Sequence, residues 1–285
     1  MSYLKENQIT AIEWLASYKY LTSSQFVKMG LYKKRSYLTN SLKTLIDIKK
    51  PLISKHDFNP IHGKLESLYY LTKHGKKFLM DELEYGETRI KAPSGLSSVY
   101  LKDYFHRKFT IDFHIQLKRY LDSSNGKIIF LNYYFDKSGN NRSSDKHKHV
   151  TTLNKIQLDK TNWFIPDINT KISLGDKECL FLFEQHNGKD SKRLFEQLYV
   201  HIKAISLGVV SDKYHLNEVH KVVVVCEEES VKDSVIHRLQ KMDGIEHYNN
   251  FFIFKTNSEL NKDFYNSWTL INGKQCNLLT ELTNE

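Results

Sequence analysis

Hydrophobic residues in the first third of the chain recur first at helical and then at strand spacing. Thr22 and Gln25 form a capping-box pattern that opens a short helix, and Gly30 closes it. Thr72 is placed to cap a later helix. The pattern predicts four helices and one two-stranded hairpin, with the helices at 9–21, 23–29, 34–48 and 73–83 and the strands at 52–55 and 67–71.

The rest of the chain has the pattern of a mixed α/β domain. The stretch before it combines charges with Pro93, Gly95 and serines and has no apolar period, which predicts a linker. We therefore expect an N-terminal domain at 1–84, a linker at 85–98 and a second domain at 99–285. The second domain is predicted to hold a central sheet covered by helices on both faces. Its predicted helices are 98–121, 192–205 and 230–242, its strands are 127–135, 163–168, 178–183, 222–226 and 251–255, and 136–150 is predicted to be a polar loop.

The stretch from Trp163 to Lys192 is the centre of this pattern. It predicts two strands joined by a turn at Gly175 and Asp176, with the first strand ending in Asp167 and the second in Glu184. If the strands pair, the two carboxylates converge where the hydrophobic run stops. Carboxylate oxygens are the ligands that a hard divalent cation such as Mg²⁺ prefers.

Composition and charge narrow the expected partners. The 285 residues carry a formal net charge of +9, which favours polyanions as partners. Among polyanions, nucleic acid is favoured over a membrane surface. Three cysteines lie far apart without metal-ligand spacing, as expected for thiols in a reducing compartment. No signal peptide or membrane-spanning run is apparent, so a cytoplasmic protein is predicted. The glycine motifs of nucleotide-binding loops are absent.

The N-terminal elements resemble a winged helix-turn-helix in their order. In such a domain the third helix would lie in the major groove and the hairpin would approach the flanking DNA backbone. The alternative is an ordinary solvated helix in a dimerisation module. The residues predicted to contact DNA are Lys33, Lys34, Arg35, Ser36, Asn40 and Lys43 around the third helix and Lys55 and Lys64 in the hairpin.

A second resemblance rests on short motifs around the central stretch. Pro166-Asp167 and Glu184-Gln185-His186, with sixteen residues between Asp167 and Glu184, are similar to the Pro-Asp…Glu-x-Lys signature of PD-(D/E)xK nucleases. With the N-terminal module, the chain resembles the replication-relaxation family, which includes the MobC-type plasmid relaxases. The implied fold class is α/β (α+β), a winged helix-turn-helix followed by a restriction-endonuclease-like mixed sheet flanked by helices.

The nuclease resemblance implies roles for individual residues. Asp167 and Glu184 would bind Mg²⁺ or Mn²⁺ with the main-chain carbonyl of Gln185, and Asp112 would add an acidic group from the preceding helix. His186 departs from the signature by standing at the lysine position, where it would act as a general base or as a nitrogen ligand favouring Mn²⁺. The resemblance also implies DNA contacts by His106, Lys192 and Arg193, and orienting roles for Gln197 and Tyr199.

Each of these residues also has an ordinary structural reading. Asp167 could be a turn residue, Glu184 a strand-end charge paired with Lys171 or Lys192, and His186 a surface histidine. Asp112 and His106 could be buried polar residues that tie the helix to the sheet.

The leading hypothesis is a metal-dependent, site-specific DNA-nicking endonuclease, a hydrolase acting at an origin of transfer or replication of a plasmid or integrative element. Its expected partners are double-stranded DNA, single-stranded DNA, other relaxosome or replication proteins and a second copy of the chain, but no membrane. The alternative is a catalytically inactive DNA-binding accessory protein or regulator with a nuclease-like fold. A transcriptional repressor with a ligand domain is the third hypothesis.

Overall fold

A computed structural model describes residues 4–58, 65–93, 103–138 and 151–279. The chain divides into two compact units, residues 1–115 and 116–285, and the division falls inside the helix Tyr104–Ser123. Among the described residues, none of the helices is long and apolar enough to span a membrane.

The first unit holds four helices and one antiparallel hairpin in the order that the sequence predicts. Ile53 pairs with Leu71 and His56 with Leu68 across the hairpin. The elements are α1 (Glu6–Tyr18), α2 (Ser23–Lys28), α3 (Arg35–Asp47), β1 (Ile53–His56), β2 (Leu68–Leu71), α4 (Lys73–Glu82), a 3₁₀ turn (Glu87–Arg89) and the first part of α5 (Tyr104–Ser123).

Local capping fixes where these helices begin. The predicted capping box of α2 is confirmed, because Gln25 donates its main-chain N–H to the Thr22 hydroxyl at 3.3 Å. In return, the Gln25 side-chain oxygen accepts from the Thr22 N–H at 2.9 Å. Thr72 caps α4 by accepting from the Gly75 N–H at 3.1 Å. Each cap satisfies N–H groups that have no partner within their own helix.

The second unit is built on one seven-stranded mixed sheet. The strand order is β13-β12-β11-β10-β9-β8-β3. β9, β10 and β11 are parallel to one another, and the remaining neighbours are antiparallel. The strands are β3 (Gly126–Tyr133), β4 (Lys137–Ser138), β5 (Thr151–Thr152), β6 (Ile156–Gln157), β7 (Trp163–Phe164), β8 (Ile168–Leu174), β9 (Lys177–His186), β10 (Lys221–Cys226), β11 (Phe252–Thr256), β12 (Trp268–Leu270) and β13 (Gln275–Cys276).

Helices and two small hairpins complete this unit. The hairpins pair β4 with β5 and β6 with β7. The helices after the C-terminal part of α5 are α6 (Ser191–Ser206), α7 (Val209–Tyr214), α8 (Glu229–Gln240), a 3₁₀ turn (Ile245–Tyr248) and α9 (Asn257–Lys262). All residues of β10 are buried, so both faces of the sheet are covered at its centre. The mixed α/β class predicted from the pattern is confirmed.

α6 packs on one face of the sheet through two groups of buried residues. Leu194 and Leu198 join a cluster with Val222 and Val224 of β10. Ala204 joins a second cluster with Leu180 and Leu182 of β9, toward α7 and the small β6–β7 hairpin. Because side chains alternate along a strand, Glu184 lies on the same face as Leu182. The fold therefore points Glu184 toward α6.

The predicted strand at 163–168 is wrong in its extent. Trp163 and Phe164 form β7, which pairs with β6 in a separate hairpin, and the sheet strand β8 begins only at Ile168. The apolar run from Trp163 to Ile165 is typical of a buried strand, whereas the sequence of β8 mixes apolar and polar residues. The sheet nevertheless accepts the polar residues of β8 because Asn169 and Thr170 form hydrogen bonds.

Other differences are local. The helical spacing of the apolar residues in 98–121 predicts Phe105 on the buried side of the helix, but Phe105 is 53% exposed on α5. β4 lies within the stretch predicted to be a loop, and residues 139–150 of that stretch are outside the described residues. α7, α9 and the last two strands, β12 and β13, were not predicted, since short or capping-dependent elements leave little periodic signal.

Candidate active site

Asp167 occupies a junction between three strands. It immediately precedes β8, where its main-chain N–H donates to the Phe183 carbonyl at 3.0 Å and its carbonyl accepts from the Tyr134 N–H at 2.9 Å. Pro166 has no N–H to contribute to the ladder. The Gln185 N–H donates to Oδ2 of Asp167 at 2.7 Å. This bond fixes the carboxylate against β9.

Glu184 lies across from Asp167. β8 and β9 pair Ile168 with Phe183, and one further step of this register sets Asp167 opposite Glu184. Both side chains are buried, Glu184 being 5% exposed. The predicted convergence of the two carboxylates therefore holds, although Asp167 precedes its strand instead of ending it.

His201 of α6 completes the cluster. Its Nε2 atom lies 2.7 Å from Oε1 of Glu184, and the histidine is only 1% exposed. Burial, together with neighbouring His220, lowers the pKa of His201 to about 3. The ring is therefore neutral at pH 7, and its Nε2–H tautomer donates a hydrogen bond to Glu184 without supplying a positive charge.

The protonation of Glu184 depends on its burial and on Asp167. Burial raises the pKa of Glu184 well above its ordinary value, and the nearby Asp167 carboxylate raises it further. Because His201 is neutral, Glu184 is stabilised either by taking up a proton or by sharing a cation with Asp167. Competition between these two forms makes cation binding stronger as the pH rises.

The residues fit a hydrated divalent cation better than a closed metal site. In the part of the chain that the structure describes, no group of three or more His, Cys, Asp or Glu side chains is arranged to hold a metal. Mg²⁺ commonly uses one or two carboxylates and keeps several waters. The Gln185 side-chain oxygen and Nδ1 of His201 are buried and have no hydrogen-bond partner among the described residues.

His186 ends β9 and is buried, so its reading as a surface histidine is wrong. Because side chains alternate along a strand, His186 lies on the face opposite Gln185 and therefore on the same face as Glu184. It also contributes to lowering the pKa of Asp190, after the larger effect of the Arg193 N–H, so it lies near the beginning of α6. Lys171, one suggested partner of Glu184, instead forms an ion pair with Glu178 at 2.6 Å.

The remaining residues predicted on α6 lie on its outer side. Lys192 and Arg193 are exposed in its first turn, where Asp190 caps the helix by accepting from the Arg193 N–H at 3.0 Å. Gln197 and Tyr199 are exposed too, and His201 is the α6 residue that contacts Glu184. The sequence pattern that could have identified His201 is a histidine on the apolar side of a predicted helix. The other residues of that side are Leu194, Leu198 and Ile202.

Asp112 and His106 belong to the first unit. The Asp112 carboxylate accepts from the Gln25 side chain and from Lys108, each at 3.1 Å. These contacts join α5 to α2, so the half-buried Asp112 ties its helix to another helix and not, as the structural alternative expected, to the sheet. His106 is half-buried on the same helix. The metal and DNA roles of these two residues stay predictions.

α3 presents a broad polar surface in the first unit. It buries only Leu38, Leu42 and Leu45. Tyr37, which is 60% exposed, and Thr44 lie on the same surface. The predicted residues Lys33, Lys34, Arg35, Ser36, Asn40 and Lys43 are all exposed.

Two of the predicted basic residues already have acidic partners. Arg35 forms an ion pair with Glu66 at 2.6 Å, and Lys55 forms one with Asp57 at 2.8 Å. Glu66 also accepts from the Ser24 N–H, which anchors it to the first turn of α2. Lys64 lies outside the described residues.

Comparisons with protein-family models, curated proteins and solved structures each found no match.

Proposed function

We propose that this protein is a metal-dependent DNA endonuclease that nicks one strand, with a winged helix-turn-helix that reads duplex DNA. The observation that carries the proposal is the fixed, buried pair of Asp167 and Glu184 on neighbouring strands. Burying two adjacent carboxylates costs stability unless a proton or cation compensates for their charge. A fold that keeps such a pair at the end of its sheet favours a cation site.

The order of elements around this pair supports a PD-(D/E)xK-like reading. Apart from the two small hairpins and the short helix α7, the elements α5, β3, β8, β9, α6 and β10 follow one another. Three antiparallel strands precede α6, and a parallel strand follows it. Asp167 precedes the second of these strands, and Glu184 and His186 lie in the third. This matches the spacing of the nuclease signature with histidine at the lysine position.

The chain's own residues would have distinct roles in phosphodiester cleavage. A divalent cation bound by Asp167 and Glu184 would neutralise charge that develops on the phosphate and activate the attacking water. His201 orients Glu184 through the hydrogen bond at 2.7 Å. His186, on the same face, would accept the proton from the attacking water or bind the cation through nitrogen.

The surface of α3 supports a DNA-reading role for the first unit. Asn40 and Lys43 lie one turn apart on its exposed side, and both side-chain types bind base edges or phosphates in a major groove. We propose that α3 enters the groove and that β1 and β2 contact the flanking backbone. This unit would select the site and the second unit would cut it.

Nicking of a supercoiled plasmid that carries a candidate origin tests the proposed activity. With Mn²⁺, the wild-type protein should convert supercoiled plasmid to open circles, and Asp167→Asn and Glu184→Gln should each reduce the rate by at least about 100-fold, as expected for the loss of a cation that activates the nucleophile. Asp176→Asn, in the exposed turn between the same two strands, is the matched control and should nick normally. Equal nicking by Asp167→Asn would refute the assignment.

A catalytically inactive DNA-binding regulator is the second candidate. It is favoured by His186, because a buried histidine stands where the signature has lysine. This alternative predicts specific DNA binding that Asn40→Ala weakens, together with no nicking in Mn²⁺ or Mg²⁺. Gel-shift and nicking assays on the same DNA distinguish the two functions.

A further inference from the structure

The β6–β7 hairpin exposes a tryptophan beside the candidate active site. Its strands pair Ile156 with Phe164 and Gln157 with Trp163, so successive side chains alternate between its two faces. Ile156 and Phe164 pack inward, and the Phe164 ring lies 4.8 Å from the His201 ring, centroid to centroid. Trp163 points the other way and is 51% exposed.

The exposed indole is accompanied by positive charge. The Lys155 ammonium lies 4.6 Å from the centre of the Trp163 ring, within cation–π range. Lys160 is exposed at the tip of the hairpin. A flat aromatic face next to ammonium groups is the combination that proteins use to stack an unpaired base and neutralise its phosphates.

Hydrogen bonds hold the tip of the hairpin rigid. The Asp159 carboxylate accepts from the main-chain N–H groups of Thr161 and Asn162, each at 2.8 Å, and from the Asn162 side chain at 2.7 Å. These bonds lower the pKa of Asp159, so the carboxylate remains ionised and keeps the turn closed over a wide pH range. The aromatic face is thus held in place before any ligand binds, which lowers the entropy cost of stacking.

A second anchor fixes the base of the hairpin. The Lys213 ammonium of α7 donates to the Lys155 main-chain carbonyl at 2.6 Å. Half-burial lowers the pKa of Lys213, in keeping with a structural role. Lys155 is therefore held through its backbone, and its ammonium lies over one face of the indole.

We propose that Trp163 stacks on an unpaired base of a DNA strand, while Lys155 and Lys160 bind the neighbouring phosphates. This inference rests on the proposed function, since it supplies the nuclease domain with a grip on the strand that Asp167 and Glu184 cut. Duplex DNA keeps its bases stacked on each other, so the surface should prefer single strands. The contact between Phe164 and His201 joins this hairpin to the candidate active site, and Trp163 lies on the opposite face of the hairpin.

Tryptophan fluorescence offers a direct test without metal. Trp268 is buried and Trp14 is half-buried, so an oligo(dT) 12-mer should quench mainly Trp163. Titration of the full chain at low salt should show quenching in the wild type and little in Trp163→Phe. By fluorescence anisotropy of a labelled oligomer, Trp163→Ala should bind about tenfold more weakly, as expected for the loss of one stacked base.

Controls separate this site from the nuclease and from general surface effects. Leu207→Ala removes another exposed apolar side chain of the same unit, 58% exposed, and should bind oligo(dT) like the wild type. Circular dichroism should show that all variants are folded. Equal affinity of Trp163→Ala and wild type for oligo(dT), or absence of oligo(dT) binding, would overturn the proposal.

The two proposals can fail separately. If oligo(dT) binding depends on Trp163 but Mn²⁺ gives no nicking, the stacking surface stands and the endonuclease is refuted. If nicking depends on Asp167 but oligo(dT) binding ignores Trp163, the endonuclease stands and the stacking surface is refuted.

Discussion

Replacing His220 with phenylalanine should make the protein less sensitive to acid. His220 directly precedes β10 and is 1% exposed, and neither ring nitrogen has a hydrogen-bond partner among the described residues. Burial lowers the pKa of His220 to about 4 from 6.5. At pH 5 the histidine is therefore neutral in the folded protein and protonated in the unfolded chain.

The size of the effect follows from linkage. A histidine whose pKa is lowered on folding supplies stability above pH 6.5 that is lost as the pH falls toward its folded value. Between pH 7 and pH 5, His220 should account for a loss of about 2 kcal/mol in the free energy of unfolding. The raised pKa of Glu184 acts in the opposite direction, but it affects wild type and variant alike.

Urea denaturation followed by circular dichroism at pH 7 and pH 5 measures this difference. The wild type should lose about 2 kcal/mol more than His220→Phe between the two pH values. The quantity compared is the loss in the free energy of unfolding between pH 7 and pH 5, measured in each protein. Any packing effect of the phenylalanine ring is the same at both pH values, so it cancels from this comparison. Equal losses in the two proteins would refute the buried, neutral state of His220.

Three further changes test other parts of the account. Glu184→Gln should raise the melting temperature of the metal-free protein, and the gain should grow as the pH rises above 4.5, the ordinary pKa of the carboxyl, because a carboxyl whose pKa is raised on folding costs stability there. A gain that does not change with pH contradicts this. Gly75→Ala would place a Cβ against a main-chain carbonyl oxygen and should cost about 1–3 kcal/mol in urea denaturation, whereas Gly86→Ala, with open space, should be nearly neutral. Glu66→Gln should release Arg35 from its ion pair with Glu66. Duplex binding, measured by anisotropy, should then become tighter, and the salt dependence of this binding should become steeper by about one phosphate contact. An unchanged salt slope contradicts this.

Periodic patterns predicted much of the fold because most elements bury a regular apolar face. The helix α3 follows from the spacing of Leu38, Leu42 and Leu45, and β10 follows from its continuous valines. The first residue of β8 could not be predicted from a regular apolar pattern. The residues of this strand include the polar run at 169–171 although five of the seven are buried, and hydrogen bonds such as that of Thr170 to the Phe130 carbonyl allow this.

The candidate site was predictable only in part. Asp167 and Glu184 were found because a turn between two pairing strands makes their register calculable. His201 was missed because its contact with Glu184 depends on how α6 packs on the sheet, which sequence spacing alone does not define. The role of Trp163 was missed for the same reason, since its exposure depends on a small hairpin separate from the main sheet.

Isothermal titration with Mn²⁺ tests most directly whether Asp167 and Glu184 share a cation. The wild-type chain should bind one Mn²⁺ per molecule at pH 7.5, more weakly at pH 6, and Asp167→Asn should abolish this binding while Asp176→Asn leaves it unchanged. Absence of Mn²⁺ binding by the wild type, or equal binding by Asp167→Asn, would contradict the account.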